Sequence, residues 1–357
     1  MKKTLLIFLG IVLAVESATA HWIPPITAQR DFAILRAKKD LARQKLDAEL
    51  LIMGDSSGGL GIDPLRLSRE TGLKTVSLSL LAPCNSTAHL LLLKDYLKNN
   101  PKPRAVLLMN ALDIWWRDVW MTEPWPPGTS LTFQMDVMTR LFGFDFWKAL
   151  LGYKRRHPEA PVPFNRLFHA FLPSQNYSAD LRAGLEKNGT FWRESARRRT
   201  QYKNQWRQLL ENQGDYRHYL YADALASAKA HDEQSITADG REDREWMRRR
   251  SFKVSPFSRD SLEQFLRFTA KEGIEVWVAF PPLWDVFKND PQTQKFLADH
   301  NLFLKSLGKN DVHVRVITED FYWAKTAELL NSVEHLTVEM QKRFTDQLAQ
   351  KINSLPK

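Results

Sequence analysis

The sequence has a single cysteine, Cys84, so no internal disulfide can form. No grouping of cysteine and histidine has the spacing of a zinc site. Long apolar runs are scarce too. Beyond the N-terminus none approaches the roughly 18 residues of a membrane-crossing helix, which excludes a polytopic membrane protein. The 357 residues are 43% hydrophobic and 26% charged, a balance that excludes wholesale disorder and a collagen-like chain. The length suits one large domain or two smaller ones. Nothing in the sequence calls for a metal or another cofactor.

What is present starts with the pattern of an export signal. Lys2 and Lys3 form a positive end, Thr4–Val15 is apolar, and Ala18-Thr19-Ala20 is a small-x-small site. The apolar stretch is short for a span and fits a signal peptide over residues 1–20, cleaved after Ala20. The alternative is an uncleaved segment anchoring the chain to the inner membrane. Either way the chain from His21 onward is expected in the periplasm or another extracytoplasmic space. The formal charge is +10, and loss of Lys2, Lys3 and Glu16 would leave it basic. A basic exported protein meets anionic headgroups and acidic glycans before it meets nucleic acid. Arg193–Arg199 and Arg248–Arg250 read as solvated helix faces, and no nucleic-acid recognition motif accompanies them.

Five apolar runs have strand length: Glu49–Met53, Lys74–Ser79, Arg104–Met109, Ile274–Phe280 and Val312–Ile317. Near-continuous runs of this kind suit strands buried on both faces of a parallel sheet. Helical patterns separate them. Asp63-Pro64 pairs an N-cap residue with a first-turn proline and opens a short helix ending near Gly72. Thr87–Leu97 and Ser261–Ala270 are apolar at helical spacing, and Met340, Phe344, Leu348 and Ile352 recur every fourth residue in the last helix. The alternation predicts a three-layer α/β domain, flavodoxin-like in its parallel sheet. Residues 21–110 and 258–357 form its two parts. Residues 111–257 interrupt it with a helical insertion after the third strand that holds 8 of the 12 tryptophans. Within the insertion, Asp239–Arg244 is polar enough to predict a mobile loop.

Chemistry gathers at the carboxyl ends of the strands, where open α/β sheets bind ligands. The first strand runs into Gly54-Asp55-Ser56-Ser57-Gly58-Gly59, and backbone N–H groups after Ser56 are suited to a developing oxyanion. A plain strand-to-helix turn would also use Gly, Asp and Ser. Asn110 closes the third strand, with an amide that could donate to the same oxyanion. His335 lies in a short loop, Asn331–Leu336, before the C-terminal helix that begins near Thr337, at the same sheet edge. A serine and a histidine there make an activated nucleophile with its general base. His89, in a helix, and His313, in a strand, read as structural.

These residues resemble the SGNH (GDSL-type) hydrolase superfamily, and most closely its exported members that act on bacterial cell-surface polymers. The resemblance covers roughly residues 49–112 and 258–354. It implies that Ser56 is the nucleophile and His335, in the Asp-x-x-His-Leu block, its base. It also implies that Ala82 and Asn110 are the oxyanion donors, by backbone N–H and side-chain amide. Gly61-Ile62-Asp63-Pro64, and Lys94-Asp95-Tyr96-Leu97 ahead of Asn100-Pro101, add to the likeness. The chain departs from the family at Ser332, where the catalytic aspartate would stand, and has alanine at position 82 where glycine is usual. Asp55, Asn331, Ser332, Glu334, Glu319 and Asp320 are the candidates to orient the imidazole, beside a backbone carbonyl.

Trp115, Trp116, Trp120 and Trp125 follow Asn110 closely. Aromatic faces pack on sugar rings, so Trp115, Trp116 and Trp120 are candidate substrate-binding residues; core of the insertion is the other reading. The resemblance implies an exported esterase or O-acyltransferase acting on acyl groups, acetyl foremost, of a cell-surface polysaccharide. The alternative is a catalytically impaired domain that binds glycan or serves as a scaffold in a polysaccharide modification or export complex, docked to a membrane-bound O-acyltransferase.

Overall fold

The structure, a computed structural model, describes residues 7–8, 10–12, 14–16, 30–80, 86–115, 137–139, 141–160, 162, 206–215, 232–310 and 313–356. The chain divides into two compact units, Met1–Ala37 with Val119–Arg207, and Lys38–Asp118 with Gln208–Lys357. In the first, the described residues between 7 and 16 are helical, with Ile7, Phe8, Ile11 and Val15 exposed. A second helix, Phe144–Arg156, buries Phe146, Trp147, Leu150 and Tyr153, and Trp147 Nε1 donates to Thr139 Oγ1 at 3.1 Å. No helix among the described residues is long and apolar enough to cross a membrane.

The second unit is built on a parallel sheet. In chain order its elements are α1 (Arg30–Ala42, shared with the first unit), β1 (Leu50–Gly54), α2 (Ser56–Gly61), α3 (Pro64–Thr71), β2 (Thr75–Ser77), α4 (Ser86–Leu97) and β3 (Ala105–Met109). After the first unit's second segment come α5 (Glu233–Arg249), α6 (Pro256–Glu272), β4 (Glu275–Val278), β5 (Pro282–Trp284), α7 (Pro291–Asn310), β6 (Val314–Val316), β7 (Tyr322–Ala324) and α8 (Val338–Asn353). The five-stranded sheet has the order β2-β1-β3-β4-β6 with every pairing parallel, while β5 and β7 make a separate two-stranded parallel pair. This is the doubly wound order in which the chain starts near the middle and works outward on both sides; in such sheets ligands bind at the carboxyl edge where the order reverses, here between β1 and β3.

Every residue of β1 and β3 is buried, as strands covered on both faces must be. Leu50, Ile52, Leu107, Met109 and Trp277 share one face with Leu67 of α3 and with Met340, Phe344, Leu348 and Ile352 of α8. The alternating Leu51, Met53, Val106, Leu108 and Val276 are buried on the other face, on which α4 and α6 lie. Four of the strands fall within the predicted runs and β1 ends one residue past its run, at Gly54; helices cover both faces as the alternation implied. Helix ends follow local chemistry. Asp63 accepts from Arg66 N at 3.0 Å and Gly72 ends α3 at φ 72°, while Ser255 caps α6 ahead of Pro256.

The mobile loop expected at Asp239–Arg244 is instead part of α5. Asp232 caps that helix by accepting from Ser235 N at 3.0 Å, and Ile236, Gly240 and Met247 form its buried stripe. A Cβ on Gly240 would lie 2.4 Å from the Trp284 ring, so the glycine lets the helix approach β5 rather than breaking it. Arg248 and Arg249 are exposed in its last turn, where they favour the helix dipole. Arg193–Arg199 lies outside the described residues.

Candidate active site

The turn after β1 is set by a close approach. Gly54 has φ 150°, and a Cβ there would lie 1.7 Å from the carbonyl oxygen of Met109 at the end of β3. Only glycine lets the two strand ends converge so tightly. The Gly54 carbonyl accepts from Leu80 N at 2.8 Å and from His89 Nε2 at 3.0 Å, which binds the segment after β2 and helix α4 to the same turn. His89 is wholly buried, and burial holds its pKa down at about 4, so the ring is neutral and structural.

Asp55 caps α2. Its Oδ1 accepts from Ser57 N at 2.9 Å and its Oδ2 from Ala111 N at 3.0 Å, so one carboxylate clamps the β1 turn to the exit of β3. Ser56 opens α2 and is partly exposed, whereas Ser57 is buried. The Ser57 hydroxyl donates to Glu334 Oε2 at 2.9 Å, and Leu112 N donates to Glu334 Oε1 at 3.2 Å. The immediate neighbours of Ser56 and His335 are thereby bonded to each other, and the serine turn and the histidine loop meet at the carboxyl edge of the sheet.

His335 is partly exposed, and its Nδ1 lies 3.0 Å from Asn331 Oδ1. With Nδ1–H donating to that amide oxygen, Nε2 carries the lone pair of a base. Asp55, Glu334, Ser332 and Asp320 each make other hydrogen bonds. Asp55 clamps the β3 exit, Glu334 holds Ser57 and Leu112, and the Ser332 hydroxyl accepts from Glu334 N at 3.5 Å. Asp320 accepts from Asn301 Nδ2 and from Trp323 Nε1.

Glu334 is buried, and its carboxyl is held well above the usual carboxylate range. Burial is the main cause, followed by the charges of Asp55 and Asp243, and the Ser57 and Leu112 hydrogen bonds only partly offset them. Asn110 is 2% exposed, and neither Nδ2 nor Oδ1 has a hydrogen-bond partner. A buried amide left unpaired costs about 1–3 kcal/mol. Such a group is stabilised when an oxyanion or another polar group comes within its reach.

Trp115 is core rather than an open platform for a sugar. It is 1% exposed and meets Phe303 edge to face with ring centroids 5.2 Å apart, and its carbonyl accepts from Ser255 N at 2.9 Å. Ala82, Trp116, Trp120 and Trp125 lie outside the described residues. Among the described residues no group of three or more His, Cys, Asp or Glu side chains is placed to hold a metal ion.

Sequence reasoning missed Ser57 as the residue that joins the two halves. The signal was the doubled serine, but spacing does not say which of two adjacent hydroxyls faces inward. It also missed Lys38, a wholly buried ammonium that donates to the carbonyl oxygens of Ser77, at 2.8 Å, and of Gly214. No protein-family model matches this chain, and no curated protein matches it.

Proposed function

We propose that the chain is an exported serine esterase or O-acyltransferase of the SGNH type, acting on acyl groups of a cell-surface polysaccharide. The observation that carries this reading is the Ser57–Glu334 hydrogen bond at 2.9 Å, which brings the turn of Ser56 and the loop of His335 together at the sheet's carboxyl edge. The Asn331 contact to Nδ1 and the unpaired Asn110 amide beside the turn add to it.

Ser56 Oγ attacks the acyl carbonyl carbon while His335 Nε2 takes the hydroxyl proton. A C–O bond forms, and the carbonyl electron pair moves onto oxygen. That oxyanion is received by the Ala82 N–H and the Asn110 amide. Collapse of the intermediate expels the sugar oxygen, which recovers the proton from His335 and leaves the acyl group on Ser56. Water or a second sugar hydroxyl, deprotonated by His335, then releases the acyl group as acid or as a new ester. Trp116 and Trp120 are proposed to pack on the sugar. The N-terminal signal would place the protein in the periplasm, with a membrane-bound O-acyltransferase as the natural donor partner.

The test is labelling of the purified protein with a fluorophosphonate, beside Ser56→Ala and His335→Ala. Labelling that needs both side chains is the expected result. A folded wild type that stays unlabelled would overturn catalysis and favour a glycan-binding scaffold. Turnover of a small acetyl ester, set against transfer to an oligosaccharide, then separates esterase from transferase.

A further inference from the structure

Glu334 carries an ionisable group into a place where a second negative charge is poorly accommodated. Asp55 faces it from the β1 turn and Asp243 from α5. Asp239, also on α5, holds the same loop by accepting from Val333 N at 3.0 Å, and His335 is its neighbour in the chain. From the exit of β3 the contact is the Leu112 N–H. With its proton, the carboxyl keeps an oxygen to accept from Leu112 and an O–H to give to the Ser57 hydroxyl, which accepts as readily as it donates. Without it, the carboxylate meets Asp55 across Ser57, whose N–H is already bonded to Asp55.

We propose that Glu334 is a positioning residue of this site: as an uncharged acid it straps the loop bearing His335 to the turn bearing Ser56, and loss of its proton loosens that loop. This rests on the reading of Ser56 and His335 as a working pair. The geometry behind it is a closed circuit. Ser57 joins Asp55 through its N–H and Glu334 through its hydroxyl, Asp55 reaches Ala111, and Glu334 reaches Leu112. Three segments of the carboxyl edge are thus tied by two buried carboxyl groups and one serine. His335 Nδ1 is already engaged by Asn331, so Glu334 acts on the loop and not on the ring.

The test uses Glu334→Gln, which copies the neutral acid's one acceptor and one donor and cannot ionise, and Glu334→Ala, which removes the strap. Two readouts are taken from about pH 5 to about pH 10: amide-exchange protection of residues 331–336, corrected for intrinsic rates, and the fluorophosphonate labelling rate of Ser56. In the wild type, protection should fall on the alkaline side and labelling should fall with it. Glu334→Gln should keep protection and lack that alkaline limb. Glu334→Ala should exchange about tenfold faster than the wild type on the acid side and show no further loss on the alkaline side, with labelling that glutamine restores and alanine does not. The proposal is overturned if glutamine loses protection as alanine does, or if wild-type protection is flat with pH. A wild type that never labels but shows the expected protection pattern would sink the Ser56–His335 reading while the strap stands. Labelling with a flat protection pattern would do the reverse.

Discussion

Nδ1 of His335 lies 3.0 Å from the side-chain oxygen of Asn331, which puts an amide oxygen where a Ser–His–Asp triad has a carboxylate. An amide fixes the tautomer and the ring plane, yet it adds no charge to stabilise an imidazolium. Asn331→Ala should therefore slow Ser56 labelling by about 10- to 100-fold. Asn331→Asp should speed it and move the acid limb of the pH profile upward, because a carboxylate favours the protonated ring. The Ser332 hydroxyl faces Glu334 N rather than the imidazole, so Ser332→Asp should gain less than Asn331→Asp. Equal labelling by wild type and Asn331→Ala would show that the contact does not orient a base.

Asn110 offers a way to separate stability from chemistry. Its amide is buried with both polar atoms unpaired, so Asn110→Leu removes a desolvation cost and should raise unfolding free energy by about 1 kcal/mol in urea. The same change should cut labelling by about 100-fold if the amide receives an oxyanion. A variant that is destabilised and still labels would reject that role.

Two glycines with positive φ should differ sharply. Gly54→Ala forces a Cβ into the Met109 carbonyl and should cost about 3 kcal/mol or more, read as soluble yield and urea midpoint. Gly72 has φ 72° and nothing within 4 Å of an added Cβ, so Gly72→Ala should cost only about 1 kcal/mol. Similar losses at the two sites would refute the close approach of β1 and β3.

Lys38 gives a pH signature of its own. Burial lowers its pKa from 10.5 to about 7, with Asp215 opposing the shift. Between those values the unfolded chain holds a proton that the folded chain has lost, so stability should rise with pH across that window. One proton gives a slope of up to about 1.4 kcal/mol per pH unit. Lys38→Met keeps the apolar stem and removes the titration, and its unfolding free energy should be flatter from about pH 7 to about pH 10. An equal slope in both proteins would place the charge elsewhere.

The fold was legible wherever its signals are local. Asp63-Pro64 and Gly72 bound α3 because a cap, a first-turn proline and a left-handed stop act within one turn of helix. The fourfold spacing of Met340, Phe344, Leu348 and Ile352 marked α8 because all four face one cluster. Helix α7 was not read, since Leu302, 67% exposed, blurs the stripe made by Phe296, Leu297 and Leu304. The Asp239–Arg244 stretch of α5 was read as a loop because the reason for Gly240 is Trp284, a contact no window of sequence contains. Strands β5 and β7 are three residues each, and unlike the equally short β2 and β6 they lie outside the five apolar runs. At the site, composition and spacing brought the turn of Ser56 and the loop of His335 to one sheet edge. They could not choose Asn331 among the groups near His335, nor Ser57 as the link, because those choices depend on side-chain direction.

The hydrogen bond from Ser57 to Glu334 spans 277 positions. A nascent chain therefore exposes the serine turn long before its counterpart has left the ribosome. Contacts of such high contact order close late, after most of the loop entropy has been lost. The link between the serine turn and the histidine loop is thus completed only after nearly the whole chain has been made.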